Sequence, residues 1–563
     1  MLSGVLFKRT GEKGRQIEPQ FVNQYLITDV YTYAKQNKWL SKPVLPSIAT
    51  LVSPLTPWIV MIMSVMRTIA MVMLSRTPGR RSIKKISVAN TSVIYHDGRA
   101  LATCESGPPL RFALPGLETI GWFNGRKSER EPILDDRSGF GGGGVNSFMR
   151  EWTTGHPRTD IDTNELITFH TTFAKPYVRY SVVQPSKGED LKSSIFDYPV
   201  GGITTSKMMH DFGVSKKHTT ILDLPLSLDP LNHARGLPSL CYDVTQKSRF
   251  GVFPRYEPDK VQWFETNPCL IFHTVNSWDE TRGADFDTQD VVHLLACRLT
   301  SATMVFSAGN LPSPEVKAIP PEYVEEDQCR LYYYSFPLPR NQDEPPHIGH
   351  QWALSAISFE FPAVSPTRAM RNAQYVYGCS TSESFTVSLG KASKIDYLVK
   401  LDVKRLIARG IAEPPQPIKG CVDSRTLTQI LASEDPDDPI KLYAMPPGWY
   451  AQEPCFVPRV DAQSEDDGWL LTYVFDESQV DEKGDCREGA QSELWVFDAK
   501  NIRDIVARIR LPQRVPYGLH GSWFSEQDIT FQKPYENVRT ADSQPVQATM
   551  VTAIRDAIER WMG

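Results

Sequence analysis

From about residue 86 to about residue 524 the chain is written in short apolar stretches closed by turns, and this limits its fold more than any other feature. "TSVIYHDGRALATCE" runs apolar, then His-Asp-Gly, then apolar again, the pattern of a two-stranded hairpin. "KSRFGVFPRY", "WLLTYVFD" and "ELWVFDAKNIRDIVARIRL" continue the series in a chain with 43 prolines and 35 glycines to turn it. Helical periodicity is scarce; the tail "MVTAIRDAIERWMG" is a clear case, with Val551, Ile554, Ile558 and Trp561 on one face. Many strands without an obvious linker predict one large closed all-β architecture over residues 1–563, of which a propeller is the commonest form. No internal repeat sets the number of blades.

Composition removes several classes of function. At 563 residues and 41% hydrophobic the chain can bury a large core, and a net charge of -5 gives no overall electrostatic reason to bind nucleic acid. Nine cysteines (104, 241, 269, 297, 329, 379, 421, 455 and 486) are scattered, odd in number and without a CxxC pair. That pattern favours a reducing compartment and argues against both a disulfide scaffold and a cysteine-held zinc. The opening "MLSGVLFKRTGEKGRQIEP" is too polar for a secretory signal.

The strongest apolar run is "WIVMIMSVMRTIAMVML", Trp58 to Leu74, within an insertion at 47–75. It carries Arg67 in its middle and follows Pro54 and Pro57, whereas a spanning helix needs about twenty clean residues. Arg76, Arg80, Arg81, Lys84 and Lys85 follow it, a cluster suited to an anionic lipid surface. A helical, membrane-facing cap is therefore expected on a cytoplasmic protein held peripherally at a membrane; the alternative is a buried core helix. The Gly-rich "GFGGGGVNS" (139–147) lacks the lysine and hydroxyl of a phosphate-binding loop and reads as a flexible connection.

His210, in "MMHDFGVSKKHTTILDLPL", stands against an aspartate beside a run with the apolar richness of a buried strand. For one isolated histidine the plain reading is a core ring bonded to a carbonyl. His156, His273 and His520 also sit at strand edges or beside Pro or Gly turns, and the four are separated by 54, 63 and 247 residues. Those gaps are far too wide for a helical HExxH or a zinc-finger module. Only a fold that returns repeatedly to one axis gathers them, as the inner strands of a propeller do. The other histidines (96, 170, 218, 233, 293, 347 and 350) read as structural or exposed.

Eight blocks occur in a family's order: "ANTSVIYHDGRALATCESGPP", "GHPRTDIDTNEL", "MMHDFGV", "SRFGVFPRY", "FHTVNSWDE", "FEFPAVSP", "EPCFVPR" and "HGSWF". On these, between about residues 86 and 524, the chain resembles the carotenoid cleavage oxygenases. The resemblance implies a seven-bladed β-propeller with a non-haem Fe(II) on its axis, held by His156, His210, His273 and His520. It places Glu105, Glu360 and Glu453 where carboxylates orient the ligating rings, and Thr91 near the iron's sixth position. Four neutral imidazoles would leave the metal its full positive charge and up to two of six positions open. Asp211 reads as structural, since a backbone or turn bond accounts for it.

The implied reaction is cleavage of a conjugated carbon–carbon double bond by O2 into two carbonyl products. The implied partners are a polyene, O2 and a membrane surface, with no nucleic acid. Stilbene-cleaving members carry a lysine where this chain has Cys104, and a thiol is a weak donor, so a carotenoid or apocarotenoid is favoured. "ISVANTSVIYHDGRALATCESGPP" and "FMREWTTGHPRTD" look most like the fungal torulene-cleaving branch. The family's "RNGPNP"-like and "HWFDGDGM"-like segments are not found, and "MLSGVLFKRT" looks like the end of that region. Two readings follow, a sequence that is itself incomplete at this end or a first blade that lacks strands, with a stilbene-cleaving dioxygenase or a non-catalytic carotenoid-binding propeller as alternative functions. Residues 525–563 read as a C-terminal extension.

Overall fold

The computed structural model describes residues 1–11, 16–37, 58–75, 83–133, 137–142, 150–186, 195–229, 232, 239–283, 288–299, 329–341, 343–382, 394–518 and 520–541. The hairpin read from "TSVIYHDGRALATCE" is present as Ser92–His96 paired antiparallel with Arg99–Thr103. Asp97 and Gly98 turn it with φ of 48° and 74°, the left-handed conformations that match a two-residue turn to the twist of its strands.

The same meander recurs six times around the chain. The first sheet continues with Leu110–Phe112 and Thr119–Trp122. The second holds Arg158–Thr159, Leu166–Thr171, Val178–Val183 and Ile195–Pro199; the third holds Gly213–Val214, His218–Asp223, Ser248–Pro254 and Gln262–Thr266. The fourth runs Leu270–Arg282, Gln289–Leu299, Cys329–Pro337 and His350–Ser355, with Cys421–Asp423 added in parallel. The fifth is Glu360–Ala363, Tyr375–Ser380, Tyr397–Asp402 and Ile440–Ala444. In the sixth, Trp449–Ala451 and Cys455–Pro458 both pair with Gly468–Asp476, which leads to Glu493–Asp498 and Ile505–Arg510.

Burial explains why these strands lack a simple alternation. His218–Asp223 and Arg99–Thr103 are buried at every residue, because both faces of the sheet meet neighbouring sheets. The largest apolar cluster runs through the third to sixth sheets and includes Phe250, Tyr333, Trp352 and Trp495. The outer strand Ile505–Arg510, by contrast, alternates half-buried and exposed residues and carries Arg508 and Arg510, charges that discourage further pairing at an edge.

The described residues form an all-β propeller-like ring of six sheets of four or five strands, where seven blades were expected. Two further hairpins stand apart from these sheets among the described residues: Leu226–Leu228 pairs with Leu240–Tyr242, and Leu2–Thr10 pairs with Gln16–Gln24 between the last sheet and the first. Val5, Phe7 and Phe21 pack on Leu471, Tyr473, Leu494, Ile509, Leu511 and Val515, while Leu2 and Val22 pack with Phe112 and Leu117. After the sixth sheet the chain returns to the first: Arg539 pairs with Asp29 and Glu129, and Gln532 Nε2 donates to the Leu114 carbonyl at 2.8 Å. The described part of the expected extension, up to residue 541, is thus packed onto the ring.

The apolar run forms a helix, Trp58–Ser75. Met71 is buried against Tyr33 of the helix Asp29–Gln36 and against Ile83, while Met63, Met66, Ile69 and Met73 are exposed. Among the described residues no helix is long and apolar enough to cross a membrane. Residues 47–57, the cations Arg76, Arg80 and Arg81, most of the Gly-rich stretch and the expected tail helix lie outside the described residues. Helices that escaped the sequence reading include Asp29–Gln36 and Val403–Ala412, the second of which begins where the Asp402 side chain accepts the Arg405 N–H.

Candidate metal centre

The start of the first strand in each sheet supplies the residues that meet on the axis. His156 lies two residues before Arg158–Thr159, and His210 three before Gly213–Val214. His273 is inside Leu270–Arg282 where the pairing register shifts between Ile271 and Thr274, an irregularity of the kind that re-aims a side chain. Glu360 opens the first strand of the fifth sheet and Glu453 falls between the two inner strands of the sixth. His520 comes from the segment after the last strand, and Thr91 and Glu105 flank the first hairpin.

These positions bring four imidazoles together. One ring nitrogen from each of His156, His210, His273 and His520 can be chosen so that all lie within 4.8 Å of one another. His156 stands 4.6 Å, 5.0 Å and 4.6 Å, centroid to centroid, from His210, His273 and His520, with planes inclined at 66° to 88°. Such edge-on packing directs nitrogens rather than ring faces toward a shared point. His156 Nε2 and His210 Nε2 are 3.0 Å apart, and His273 Nε2 is buried with no hydrogen-bond partner among the described residues. A buried polar atom left unpaired costs about 1–3 kcal/mol, and a metal ion among the rings would remove that cost. The donor set therefore fits a metal.

Carboxylates hold three of the rings from behind. His210 Nδ1 is 2.6 Å from Glu105 Oε1, His273 Nδ1 is 2.6 Å from Glu360 Oε2, and His520 Nδ1 is 3.1 Å from Glu453 Oε1. Pairing Nδ1 in this way fixes the tautomer and leaves Nε2 as the ligating atom. Among the described residues no carboxylate pairs with His156; its backbone N–H donates to Thr154 Oγ1 at 3.0 Å. Thr91 donates its hydroxyl to Glu105 Oε2 at 3.0 Å, and its methyl lies so close to Gly155 that a Cβ there would stand 2.6 Å away. Phe361 is held at φ 53°, unusual for a bulky residue, with its N–H donating to Glu360 Oε2 at 2.5 Å.

Burial dominates the electrostatics. It depresses His156 and His273 well below the usual histidine range, with the neighbouring rings adding to the effect, so both are neutral as ligands must be. At His520 burial acts in the same direction, but the carboxylates of Glu453, Glu360 and Asp211 together outweigh it and the net shift is upward. Burial also raises Glu105, yet its interactions with the neighbouring His210 ring, a backbone hydrogen bond and the Thr91 hydroxyl bring it to about 2. Glu360 is pushed up to about 8 by burial. A cation among the rings would favour its ionised form.

The surroundings are apolar on one side and polar on another. Phe272 meets His210 edge-on at 5.3 Å, and Phe361 lies 5.8 Å from His273. A cavity of about 170 Å³ adjoins the rings, lined in part by Ser92, His156, Arg158, His273, His520 and Ser522. All eight residues expected from the sequence are thus in or directly behind one site. Residues that the reading missed are Arg158, Thr274 and Thr154; their one visible signal is that each lies within two residues of a ligating histidine. Asp211 is buried and hydrogen-bonded, consistent with a structural part.

The chain matches the family of retinal pigment epithelial membrane protein, RPE65, over residues 1–525. It is 50% identical to "Carotenoid dioxygenase carX" of Gibberella fujikuroi, covering 96% of this chain and 83% of that protein. It is 29% identical to the "Carotenoid 9,10(9',10')-cleavage dioxygenase" of Crocus sativus, covering 80% of this chain and 68% of that one. Among solved structures, the Pseudomonas brassicacearum lignostilbene dioxygenase superposes with a TM-score of 0.59 at 18% identity, covering 93% and 86% of the two chains. A Synechocystis apocarotenoid oxygenase superposes at 0.56 and 18% identity, covering 90% and 84%. At such identities these structures speak for the fold alone. By its match over nearly the whole length, and by the motifs that meet on its axis, the chain belongs to the RPE65 family, the carotenoid cleavage oxygenases.

Proposed function

We propose that the chain is an Fe(II)-dependent dioxygenase that cleaves a conjugated carbon–carbon double bond of a carotenoid or apocarotenoid. The observation that carries this is the convergence of four imidazoles, with no carboxylate among the ligand atoms, within 4.8 Å. Cleavage breaks one C=C bond and consumes one O2, with one oxygen atom passing to each of two carbonyl products. Iron held by His156, His210, His273 and His520 would supply the site at which O2 is activated. Glu105, Glu360 and Glu453 hold three of the rings by Nδ1, and Thr91 is held beside them through Glu105.

Substrate chemistry follows from what adjoins the site. Phe272 and Phe361 offer apolar edges to a polyene, which has no group to titrate or to hydrogen-bond. Cys104 is buried with its Sγ 3.3 Å from Ser106 Oγ and cannot act as an ammonium toward a phenol. The names of the relatives from Gibberella fujikuroi and Crocus sativus favour the same substrate class. Such a substrate dissolves in membranes, and the exposed Met63, Met66, Ile69 and Met73, with Lys84 and Lys85 nearby in sequence, suit contact with a lipid surface on the cytoplasmic side. The hairpin Leu2–Gln24 takes the place of a seventh blade, reduced to two strands.

The test is to give iron-loaded protein torulene or β-carotene in detergent. Aldehydes, oxygen-dependent bleaching and about one iron per chain are expected. Turnover of resveratrol alone would overturn the substrate class, and carotenoid bound without bleaching by the fully iron-loaded protein would overturn the reaction.

A further inference from the structure

Directly behind three of the rings lies a second polar cluster. Asp211 follows His210, Thr274 follows His273, and Arg158 stands two residues after His156. The Asp211 carboxylate is only 1% exposed. Its Oδ2 accepts the Thr274 backbone N–H at 2.7 Å and lies 3.0 Å from the Thr274 hydroxyl, which also reaches the Phe212 carbonyl at 2.7 Å, while Oδ1 accepts the Phe212 N–H at 2.8 Å. Arg158 Nη2 donates to this carboxylate, 2.9 Å and 2.8 Å from its two oxygens, and lies 3.1 Å from the Thr274 carbonyl. One carboxylate thereby joins the inner strands of the second, third and fourth sheets. On the other side of His210, Thr154 Oγ1 donates to the His210 carbonyl at 2.7 Å and accepts the His156 N–H.

We infer that Asp211 is a positioning residue for the metal centre, setting the relative placement of His156, His210 and His273 through their backbones. The glutamates orient rings about their own bonds; they cannot set how far apart three strands from separate sheets lie. Apolar packing between sheets is non-directional and leaves that separation loosely defined. A carboxylate has about four acceptor sites, and here they are filled by donors from all three strands. An amide offers one acceptor oxygen and would turn its NH2 against buried donors, so a change of charge and acceptor number would be transmitted to the ligands one or two residues away.

The inference rests on reading the four rings as metal ligands, and cobalt(II) titration of the metal-free full chain separates the two ideas. For Asp211→Asn, cobalt affinity should fall about tenfold to a hundredfold, the range for groups that support a ligand, and the visible ligand-field spectrum should change. Thr274→Val keeps the side-chain shape and the N–H; it should move both readings the same way by less, and it carries the test if Asp211→Asn does not fold. A lower melting temperature alone would accompany any structural role, so the spectrum decides. Superimposable spectra and affinities within about twofold in the folded variants would overturn the inference. Wild-type protein that takes up no cobalt would instead sink the metal reading.

Discussion

The hub of the ring and the hairpin that closes it both join parts of the chain far apart in sequence, yet they are made of opposite materials. At the hub, His156, His210, His273 and His520 meet through ring nitrogens backed by Glu105, Glu360 and Glu453, each contact a directed bond. At the closure, Val5, Phe7 and Phe21 lie on Leu494, Leu511 and Val515 with no polar group among them. Directed bonds weaken steeply with distance and angle, whereas apolar burial scales with area and tolerates small shifts. A metal requires the first kind of join. Closing the ring requires only the second, which is how a two-stranded hairpin can bridge sheets of four and five strands.

The largest effect should come from His273→Ala, which removes a ligand whose Nε2 has no other partner among the described residues. It should abolish retention of iron through gel filtration while leaving the far-ultraviolet spectrum of the ring intact; a variant that still holds one iron and cleaves polyene would break the contrast. Next, Phe7→Ala with Phe21→Ala should cost about 3 kcal/mol of stability, the low end for two large apolar side chains that are only partly buried. Chemical unfolding measures this, and the cobalt spectrum of the double variant should match wild type. A changed spectrum would mean that the closure and the hub are not independent.

The smallest expected effect is a change with pH in the stability gap between wild type and the double variant, although the stability of the whole ring does depend on pH. Burial holds His96 down to about 4 and His170 down to about 3, below the 6.5 expected when unfolded. A histidine depressed in the folded state binds its proton more tightly when unfolded, so stability is whole above about pH 6.5 and falls as the pH drops toward those lower values. Each should cost about 1.4 kcal/mol per pH unit within that window. Since the apolar wedge has no titratable side chain among Val5, Phe7 and Phe21, the stability gap of the double variant should be equal at pH 7.5 and 5.5. A gap that changes with pH would tie the closure to ionisation.

Much of this was legible in advance because propeller geometry repeats. The turn in "HDG" was readable from residue types whose φ is left-handed, and Asp97 and Gly98 adopt it. The four histidines stood out because each sits at a strand edge or beside a Pro or Gly turn, and the structure places His156 and His210 just before inner strands, His273 in an irregular one and His520 after the last strand. Arg158, Thr274 and Thr154 were not legible, since a threonine or arginine near a histidine has no distinctive spacing until three strands are side by side. Seven blades were expected from the family resemblance, since no repeat in the strand pattern sets that number; among the described residues six larger sheets form, and the hairpin of Leu2–Thr10 and Gln16–Gln24 packs on both neighbours between the last and the first. Helix Val403–Ala412 was missed because its ten residues lie between strand-like segments that dominate the local pattern.

The amino-acid sequence alone determined the strand-and-turn alphabet, because periodicity is a local property, and the order of its motifs carried the resemblance that pointed to the family and to these imidazoles and carboxylates. Only the tertiary structure decided which glutamate backs which ring, that His156 has none among the described residues, that burial lifts Glu360 to about 8 while His210 and Thr91 hold Glu105 near 2, and that Asp211 ties three sheets together. Those are matters of distance between residues dozens to hundreds of positions apart, and electrostatic and hydrogen-bond energies depend on distance and burial, not on order along the chain.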